Sequence, residues 1–389
     1  MKVLIIATYF APELGGGVAR YEQEVLPRLL PVLVTAGCEV AVLVLRDGDG
    51  LAPAKGVHVL KLPVEREQPW KRILYNQVYG WAYSWGADVV LSLEYWLPFL
   101  PLWSKRNISV IHDAHAELAW IRRRKHALDR KFAGLLYWHA ACTRGARASD
   151  RVITVSQYAA KELSDIFGIP GPKIAVIYCG VDTGWLRPIH DLGAIERVRM
   201  RYSLPEQFYL FVGPPTGDKN LRFILQTFLG MEPMDPGVLP VVVTATRPVA
   251  SPEAELLAQL DVWGRGHLFH FAGRVAHDDL PALYSAARAL IFPSLHEGFG
   301  LPPVEAMACG TPVLATNRTS VPEIVGGAAL TIDPGSPESL RRAIEKVSLE
   351  SVRQDLIAKG MERARMFNWN RAVQQISAEV LTGWKRSAN

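Results

Sequence analysis

Two glutamates in the second half of the chain stand on either side of a glycine-containing segment. Glu297 follows an apolar run that ends at Phe292, and Glu305 comes after seven intervening residues. The glycines and prolines between them predict a loop that opens a helix, because proline in the first helical turn loses no hydrogen bond. The amino terminus of such a helix presents N–H groups and the positive end of its dipole, which suit a phosphate. One carboxylate can then face a sugar while the other reaches ribose hydroxyls.

Taken alone, this pair of glutamates is better explained as part of a tight strand–helix connection that has no chemical role.

A second candidate is His112, which directly follows the apolar run 108–111. A histidine at the carboxyl end of a buried parallel strand faces the crevice where such sheets bind ligands. The alternative is a capped strand end beside Asp113 and His115.

The elements that position these residues are short apolar runs alternating with helical patterns. The runs are rich in Val and Ile, as expected for strands that helices cover on both faces. This alternation predicts an α/β protein with two doubly wound, parallel-sheet, Rossmann-like domains. The predicted strands are Val3–Ala7, Val40–Leu45, Val57–Lys61, Val89–Leu93, Ile108–Ile111, Val152–Val155, Ile174–Ile177, Tyr209–Val212, Val241–Thr244, Leu268–Phe271, Ala289–Phe292, Pro312–Ala315 and Ala329–Ile332.

The 389 residues suit two domains of ordinary size. We predict an N-terminal domain over residues 1–185, a second domain over 186–368, and a final helix over 369–389 that packs back on the first domain. The first helix, from Val18 to Thr35, contains Pro27 and Pro31 and is expected to kink or break there.

The composition excludes several classes of protein. The net charge of +5 suits anionic ligands, but no nucleic-acid recognition motif is present. The four cysteines lie far apart without metal-ligand spacing, which indicates free thiols in a reducing, cytoplasmic setting. The segment Val89–Trp103 is the most membrane-like, yet it carries Glu94 and two prolines and is too short to span a bilayer.

Several motifs together resemble one enzyme family. The run from Glu297 through GFGLPPV to Glu305 and AMACGTPV resembles the EX7E signature of family 4 retaining glycosyltransferases. Further segments resemble that family in order along the chain: Gly15–Tyr21, Ile111–Asp113, Val155–Tyr158, Gly180–Asp182, Phe211–Gly213 with Lys219–Asn220, and Phe271–Val275. The resemblance implies a GT-B fold, in which two Rossmann-like domains face a central cleft.

The resemblance also implies roles for matching residues. Glu297 would lie against the transferred sugar with His112, and Glu305 would hydrogen-bond the ribose. Lys219 would neutralise the diphosphate. Backbone amides would approach or hold the phosphates at Gly16, Gly17, Gly298, Phe299, Gly300 and Leu301.

One departure from the family pattern concerns the diphosphate clamp. The family usually pairs the lysine with an arginine, but the two expected places hold Pro214 and Asp218. Arg222, near the start of the following helix, is the predicted substitute.

No metal or other cofactor is expected. Asp47-Gly48-Asp49 has the DxD spacing of metal-dependent transferases, but its composition is typical of a turn. The basic run 121–131 and the aromatic residues that follow it, up to position 138, suit either peripheral contact with anionic lipid at the inner membrane face or a solvated helix. The same run suits the phosphates of a polyprenyl-diphosphate-linked acceptor.

The sequence around Glu297 most resembles that of bacterial mannosyltransferases of surface-polysaccharide synthesis. We therefore predict a metal-independent hexosyltransferase that moves mannose from GDP-mannose to a glycan or lipid-linked acceptor. The alternatives are a transferase that uses a UDP-sugar, a nucleotide-sugar epimerase, and a non-catalytic nucleotide-sugar-binding protein. The sequence offers one suitable carboxylate beside the sugar, which favours front-face transfer over a double displacement.

Overall fold

A computed structural model describes residues 1–10, 16–46, 51, 55–64, 69–94, 97, 102–114, 143–215, 217–232 and 237–383. The chain divides into two compact units. The first unit contains Met1–Gly180 and the segment that begins at Trp369, and the second contains Val181–Asn368. No helix within these described ranges is long and apolar enough to cross a membrane.

The first unit is built on a parallel sheet of seven strands in the order β3-β2-β1-β4-β5-β6-β7. Every strand coincides with a predicted apolar run to within two residues, and the central strands are buried on both faces. The strands are β1 (Lys2–Ile6), β2 (Glu39–Leu45), β3 (Val57–Leu62), β4 (Val89–Ser92), β5 (Arg106–Val110), β6 (Arg151–Thr154) and β7 (Ile174–Val176). The helices that cover the sheet include α1 (Gly17–Thr35), α2 (Pro69–Tyr83), α3 (Gln157–Phe167) and α12 (Trp369–Leu381).

Helix α1 corrects one prediction. It runs without a break from Gly17 to Thr35, through both Pro27 and Pro31. The two prolines are exposed and four positions apart, so they share the solvent face of the helix. The backbone carbonyls that the prolines deprive of an N–H donor therefore face water, which can donate a hydrogen bond to them. The opposite face packs Val25, Leu29 and other apolar side chains into the core, which holds the helix together.

The second unit repeats the architecture with six parallel strands in the order β10-β9-β8-β11-β12-β13. These strands also match the predicted runs. They are β8 (Tyr209–Phe211), β9 (Val241–Val243), β10 (Phe269–Phe271), β11 (Ala289–Phe292), β12 (Val313–Thr316) and β13 (Leu330–Ile332). The helices are α4 (Leu192–Arg201), α5 (Leu221–Leu229), α6 (Pro252–Val262), α7 (Leu280–Ala286), α8 (Leu301–Ala308), α9 (Val321–Val325), α10 (Pro337–Ser348) and α11 (Glu350–Arg365).

Each sheet has a point where the order of its strands reverses. In the first unit β1 lies between β2 and β4, and in the second β8 lies between β9 and β11. The loops that leave the carboxyl ends of these strands diverge to opposite faces of the sheet and open a crevice for ligands. The predicted site residues follow β1 and β5 in the first unit, and β8 and β11 in the second.

Candidate active site

The loop between β11 and α8 leads into the helix as predicted, with a glycine before its first turn. Gly300 precedes the helix in a left-handed conformation with φ 94°, and a Cβ added there would lie 3.6 Å from the Phe292 ring. Pro302 and Pro303 occupy the first helical turn. Because proline carries no N–H, Gly300 and Leu301 are the amide donors that this turn offers to a ligand.

Lys219 and Glu297 lie next to each other in the second unit. Nζ of Lys219 donates to Oε1 of Glu297 over 2.5 Å, and both side chains are mostly buried. The ammonium also lies 5.9 Å from the centre of the Phe292 ring. The residues predicted to meet the diphosphate and the sugar are thus brought together by the fold, 78 positions apart in sequence.

Backbone hydrogen bonds join the two loops that carry this pair. The carbonyl oxygen of Asp218 accepts from Leu295 N over 2.8 Å and from the Ser294 hydroxyl over 3.1 Å. Asn220 adopts a left-handed conformation with φ 59° and donates through its side chain to Pro293 O over 3.2 Å. The position of Lys219 is therefore determined by the loop after β11.

A third loop, after β12, forms hydrogen bonds with the backbone of Glu297. Thr319 Oγ1 accepts from the backbone N–H of Glu297 over 3.1 Å. The Ser320 hydroxyl lies 2.9 Å from the carbonyl oxygen of Glu297 and 3.1 Å from that of Phe299, and can donate to one of them. Sequence reasoning missed both residues. The available signal was that they follow the strand paired with β11, so their loop lies beside the Glu297 loop.

Glu305 lies one turn inside α8, as predicted, and has a partner that sequence reasoning did not assign to the site. The hydroxyl of Tyr284 in α7 donates to Oε2 of Glu305 over 2.8 Å. Tyr284 is fully buried, so it holds this carboxylate in one orientation.

Arg222 does not join the pair of charges. Its side chain is exposed in the first turn of α5. Within the described residues it forms no hydrogen bond or ion pair with Lys219 or Glu297. Pro214 is exposed after β8. The assignment of Arg222 to the diphosphate clamp therefore stays a prediction.

In the first unit, polar side chains follow three adjacent strands. Thr8, Glu94 and His112 come directly after β1, β4 and β5, and all three are buried. A carboxylate oxygen of Glu94 accepts from the backbone N–H of Thr8. This contact joins the loops at the point where the strand order reverses.

His112 is enclosed by apolar and aromatic groups. Its ring packs edge-on against Tyr21 of α1, with centroids 4.7 Å apart, and the ring of Trp369 in α12 also packs edge-on against Tyr21, at 5.8 Å. Burial lowers the pKa of His112 to about 4, although Asp113 and a hydrogen bond with the backbone of Leu93 act in the opposite direction. The imidazole is therefore neutral at pH 7 and can exchange hydrogen bonds with a hydroxyl without adding charge.

Gly16 and Gly17 begin α1, close behind β1. Gly16 has φ 109°, a conformation that favours glycine, whereas Gly17 has an ordinary helical backbone. A Cβ added at either residue would meet no atom within 4 Å. The space in front of both residues is open to an incoming group. Gly15 lies outside the described residues.

Three expectations fall on parts of the chain that the structure does not describe. They are the Asp47-Gly48-Asp49 turn, the basic run 121–131, and the aromatic residues that follow it up to position 138. Where side chains are described, no three His, Cys, Asp or Glu residues are grouped so that they could hold a metal ion. Cys38, Cys179 and Cys309 are buried free thiols, and burial raises the pKa of each.

Comparison with known proteins agrees with this arrangement. The family described as Glycosyltransferase Family 4 matches residues 15–185, and the one described as Glycosyl transferases group 1 matches residues 201–363. The O-antigen chain mannosyltransferase B of Escherichia coli is 30% identical over 325 residues, which cover 81% of each chain. The chain belongs to the family 4 glycosyltransferases.

Solved structures show the same fold for this family 4 glycosyltransferase. Sucrose-phosphate synthase from Thermosynechococcus elongatus has a TM-score of 0.73 at 20% identity and covers 98% of both chains. Anabaena HepE in complex with UDP and glucose has a TM-score of 0.69 at 17% identity and covers 98% of this chain and 100% of its own. The two α/β domains with parallel sheets are those of a GT-B glycosyltransferase.

Proposed function

We propose that this glycosyltransferase is a retaining, metal-independent mannosyltransferase that uses GDP-mannose and a glycan or lipid-linked acceptor in polysaccharide synthesis. The Lys219–Glu297 pair at the entrance of α8 carries the proposal, because it puts a cation and a carboxylate beside amide donors suited to phosphate. The mannosyltransferase relative supports the choice of sugar. A lipid-linked acceptor would bring the enzyme to the inner face of the membrane.

The proposed roles divide between the charges that develop during transfer. Lys219 and the Gly300 and Leu301 amides would stabilise the departing diphosphate, and Glu297 would hold the hydroxyls of the sugar. Glu305, oriented by Tyr284, would bind the ribose. Neutral His112 would hydrogen-bond the sugar, and Gly16 and Gly17 would let a phosphate approach the backbone closely.

Retention follows from front-face transfer in this proposal. The bond between the anomeric carbon and the phosphate oxygen breaks, and the acceptor oxygen bonds to that carbon from the same side. The acceptor proton passes to the leaving phosphate oxygen. Glu297 is held by Lys219 and precedes the Gly300 and Leu301 amides that we propose for the phosphate, which suits a role in binding rather than a nucleophilic one.

Three other functions are alternatives to this proposal. A UDP-sugar donor is favoured by the fold-level likeness to a protein solved with UDP and glucose. A non-catalytic nucleotide-sugar-binding protein is favoured by Asp218 and Pro214 at the places of the usual arginine. An epimerase would consume the donor without an acceptor.

A thermal-shift titration distinguishes the candidate donors. The purified protein is titrated without added metal against GDP, UDP, dTDP and their common sugar conjugates. A ligand at a hundred times its Kd stabilises the protein by about 2.7 kcal/mol, which is readily measured. We expect the GDP series to raise the melting temperature, and Lys219→Ala to reduce the rise. A rise in melting temperature with the UDP series alone would indicate a UDP-sugar donor. No rise with any nucleotide would contradict transferase function.

A further inference from the structure

Helix α2 carries an apolar stripe on its solvent side. Leu74 and Val78 are 60% and 50% exposed, and Trp85, just past the end of the helix, is 73% exposed. With the half-buried Trp81 they are spaced four, three and four positions apart, which places them on one face. We call these residues, together with Trp103, the aromatic stripe.

The opposite face of α2 already supplies the contacts that the core needs. Tyr75 and Tyr79 pack against the cluster of buried residues that contains Leu43 and Val90. Their rings stack in parallel, with centroids 5.6 Å apart. A surface helix normally carries polar residues away from the core, so the exposed apolar side chains on α2 form a surface suited to a binding partner.

Trp103 extends the stripe, and its backbone is held by a hydrogen bond to Ser84. Its ring lies 5.0 Å from that of Trp85 and 6.2 Å from that of Trp81, and it is 55% exposed. The buried Ser84 hydroxyl accepts from Trp103 N over 3.1 Å and donates to Trp81 O over 2.7 Å. Trp103 ends the segment that is membrane-like in sequence but too short to span a bilayer.

Basic residues flank the stripe. Lys71 is exposed one turn before Leu74 on the same face, and the α2 sequence contains Lys71 and Arg72 but no acidic residue. Beyond the tryptophans, Lys105 is 82% exposed and pairs with Asp88 over 2.7 Å. The surface therefore combines indole rings and aliphatic side chains with the exposed ammonium group of Lys71, while Lys105 is paired with Asp88.

We propose that the aromatic stripe docks on the surface of a bilayer containing anionic lipid. Indole rings are favoured at the boundary between headgroups and acyl chains, and nearby basic residues are attracted to anionic headgroups. A second copy fits less well, because a twofold interface centred on the stripe would bring Lys71 of both copies into one mostly apolar contact. A glycan also fits less well, because Leu74 and Val78 offer no hydrogen bonds. The inference does not rest on the proposed donor or acceptor.

Vesicle flotation of the full-length protein tests this inference. The wild type is mixed with vesicles of phosphatidylcholine, with or without phosphatidylglycerol, at low and high salt. Two variants remove different parts of the stripe: Trp85→Ser with Trp103→Ser, and Leu74→Ser with Val78→Ser. The control changes an exposed apolar pair in the second unit, Val262→Ser with Trp263→Ser. Melting temperature and nucleotide binding verify that each variant is folded.

We expect the wild type to float with anionic vesicles and less with neutral ones. The tryptophan variant is expected to lose about tenfold or more in partitioning, because each indole removes on the order of 100 Å² of apolar surface from water. The Leu74 and Val78 variant should weaken binding in the same direction, while the control floats like the wild type. Equal flotation of wild type and both stripe variants would overturn the proposal. So would a wild-type dimer that the variants convert to monomers without any vesicle binding.

Discussion

Nζ of Lys219 lies 2.5 Å from Oε1 of Glu297, so the cation that we assign to the diphosphate is held by the carboxylate that we assign to the sugar. The contact joins the loops after β8 and β11, whose strands are neighbours in the second sheet. A ligand that places phosphate near Lys219 must compete with Glu297 for the ammonium. Separate substitutions of the two residues should therefore have opposite effects on diphosphate binding.

Glu297→Gln should lower the turnover of sugar transfer by about a hundredfold or more, because a charged contact that matters most in the transition state is lost. The affinity for the nucleoside diphosphate should be unchanged or higher, since Lys219 loses its competing partner. Transfer assays and calorimetry measure the two effects. Glu338→Gln breaks an exposed pair with Arg342 and serves as the control. Near-normal turnover of Glu297→Gln would contradict the assignment.

Lys219→Met should weaken diphosphate binding by about ten- to a hundredfold, the range for one charge-assisted hydrogen bond of about 1.5–3 kcal/mol. The affinity for the corresponding nucleoside, which has no phosphate, should not change. Calorimetric titration with both ligands measures the difference. Lys359→Met, which removes an exposed lysine of the same unit, is the control. A loss of nucleoside affinity would indicate damage to the fold instead.

Tyr284→Phe should weaken nucleoside diphosphate binding by about three- to tenfold, because Glu305 loses the hydroxyl that orients it. The preference for ribose over 2′-deoxyribose nucleotides should fall in the same variant. Tyr209→Phe is a matched control, since it removes another buried hydroxyl of this unit, one that donates to Gly237 O. If the two variants show the same affinities for the ribose and the 2′-deoxyribose nucleotides, Glu305 does not bind the ribose.

Gly17→Ala should leave the protein as stable as the wild type and still impair transfer. Gly17 is the first residue of α1 and has a backbone that accommodates alanine, and the new methyl group meets no protein atom within 4 Å. The methyl group would occupy the space proposed for a phosphate. Melting temperature and transfer rate measure the two effects, with Gly171→Ala, an equally open position of the same unit, as the control. Unimpaired transfer would show that no group approaches Gly17.

His112 should make the first unit less stable in acid. Its pKa is about 4 in the fold and 6.5 in the unfolded chain, so between these values the unfolded state binds more protons. Stability from this residue is complete above pH 6.5 and is lost as the pH falls toward 4, by at most about 3 kcal/mol. Urea unfolding followed by tryptophan emission, at a series of pH values, measures the slope. His112→Gln should flatten that slope, and an unchanged slope would contradict the burial of a neutral imidazole.

The sequence predicted the strands and the opening of α8 because the signals for both are local. Runs such as Val40–Leu45 are typical of strands between two layers of helices, and a glycine shortly before two prolines is typical of the opening of a helix. Local rules were wrong for α1, where Pro27 and Pro31 were expected to interrupt the helix. Their solvent-facing positions and the packing of the opposite face depend on the whole unit.

The sequence by itself determined the two α/β domains, the family motifs, and the separate candidates Lys219, Glu297, Glu305 and His112. Only the tertiary structure decided which groups meet. Tyr284 reaches Glu305 and Thr319 supports Glu297 because neighbouring strands bring distant loops to one edge of the sheet. The low pKa of His112 likewise comes from burial beside Tyr21. Contacts between distant residues and desolvation depend on the whole fold, and no local pattern in the sequence encodes them.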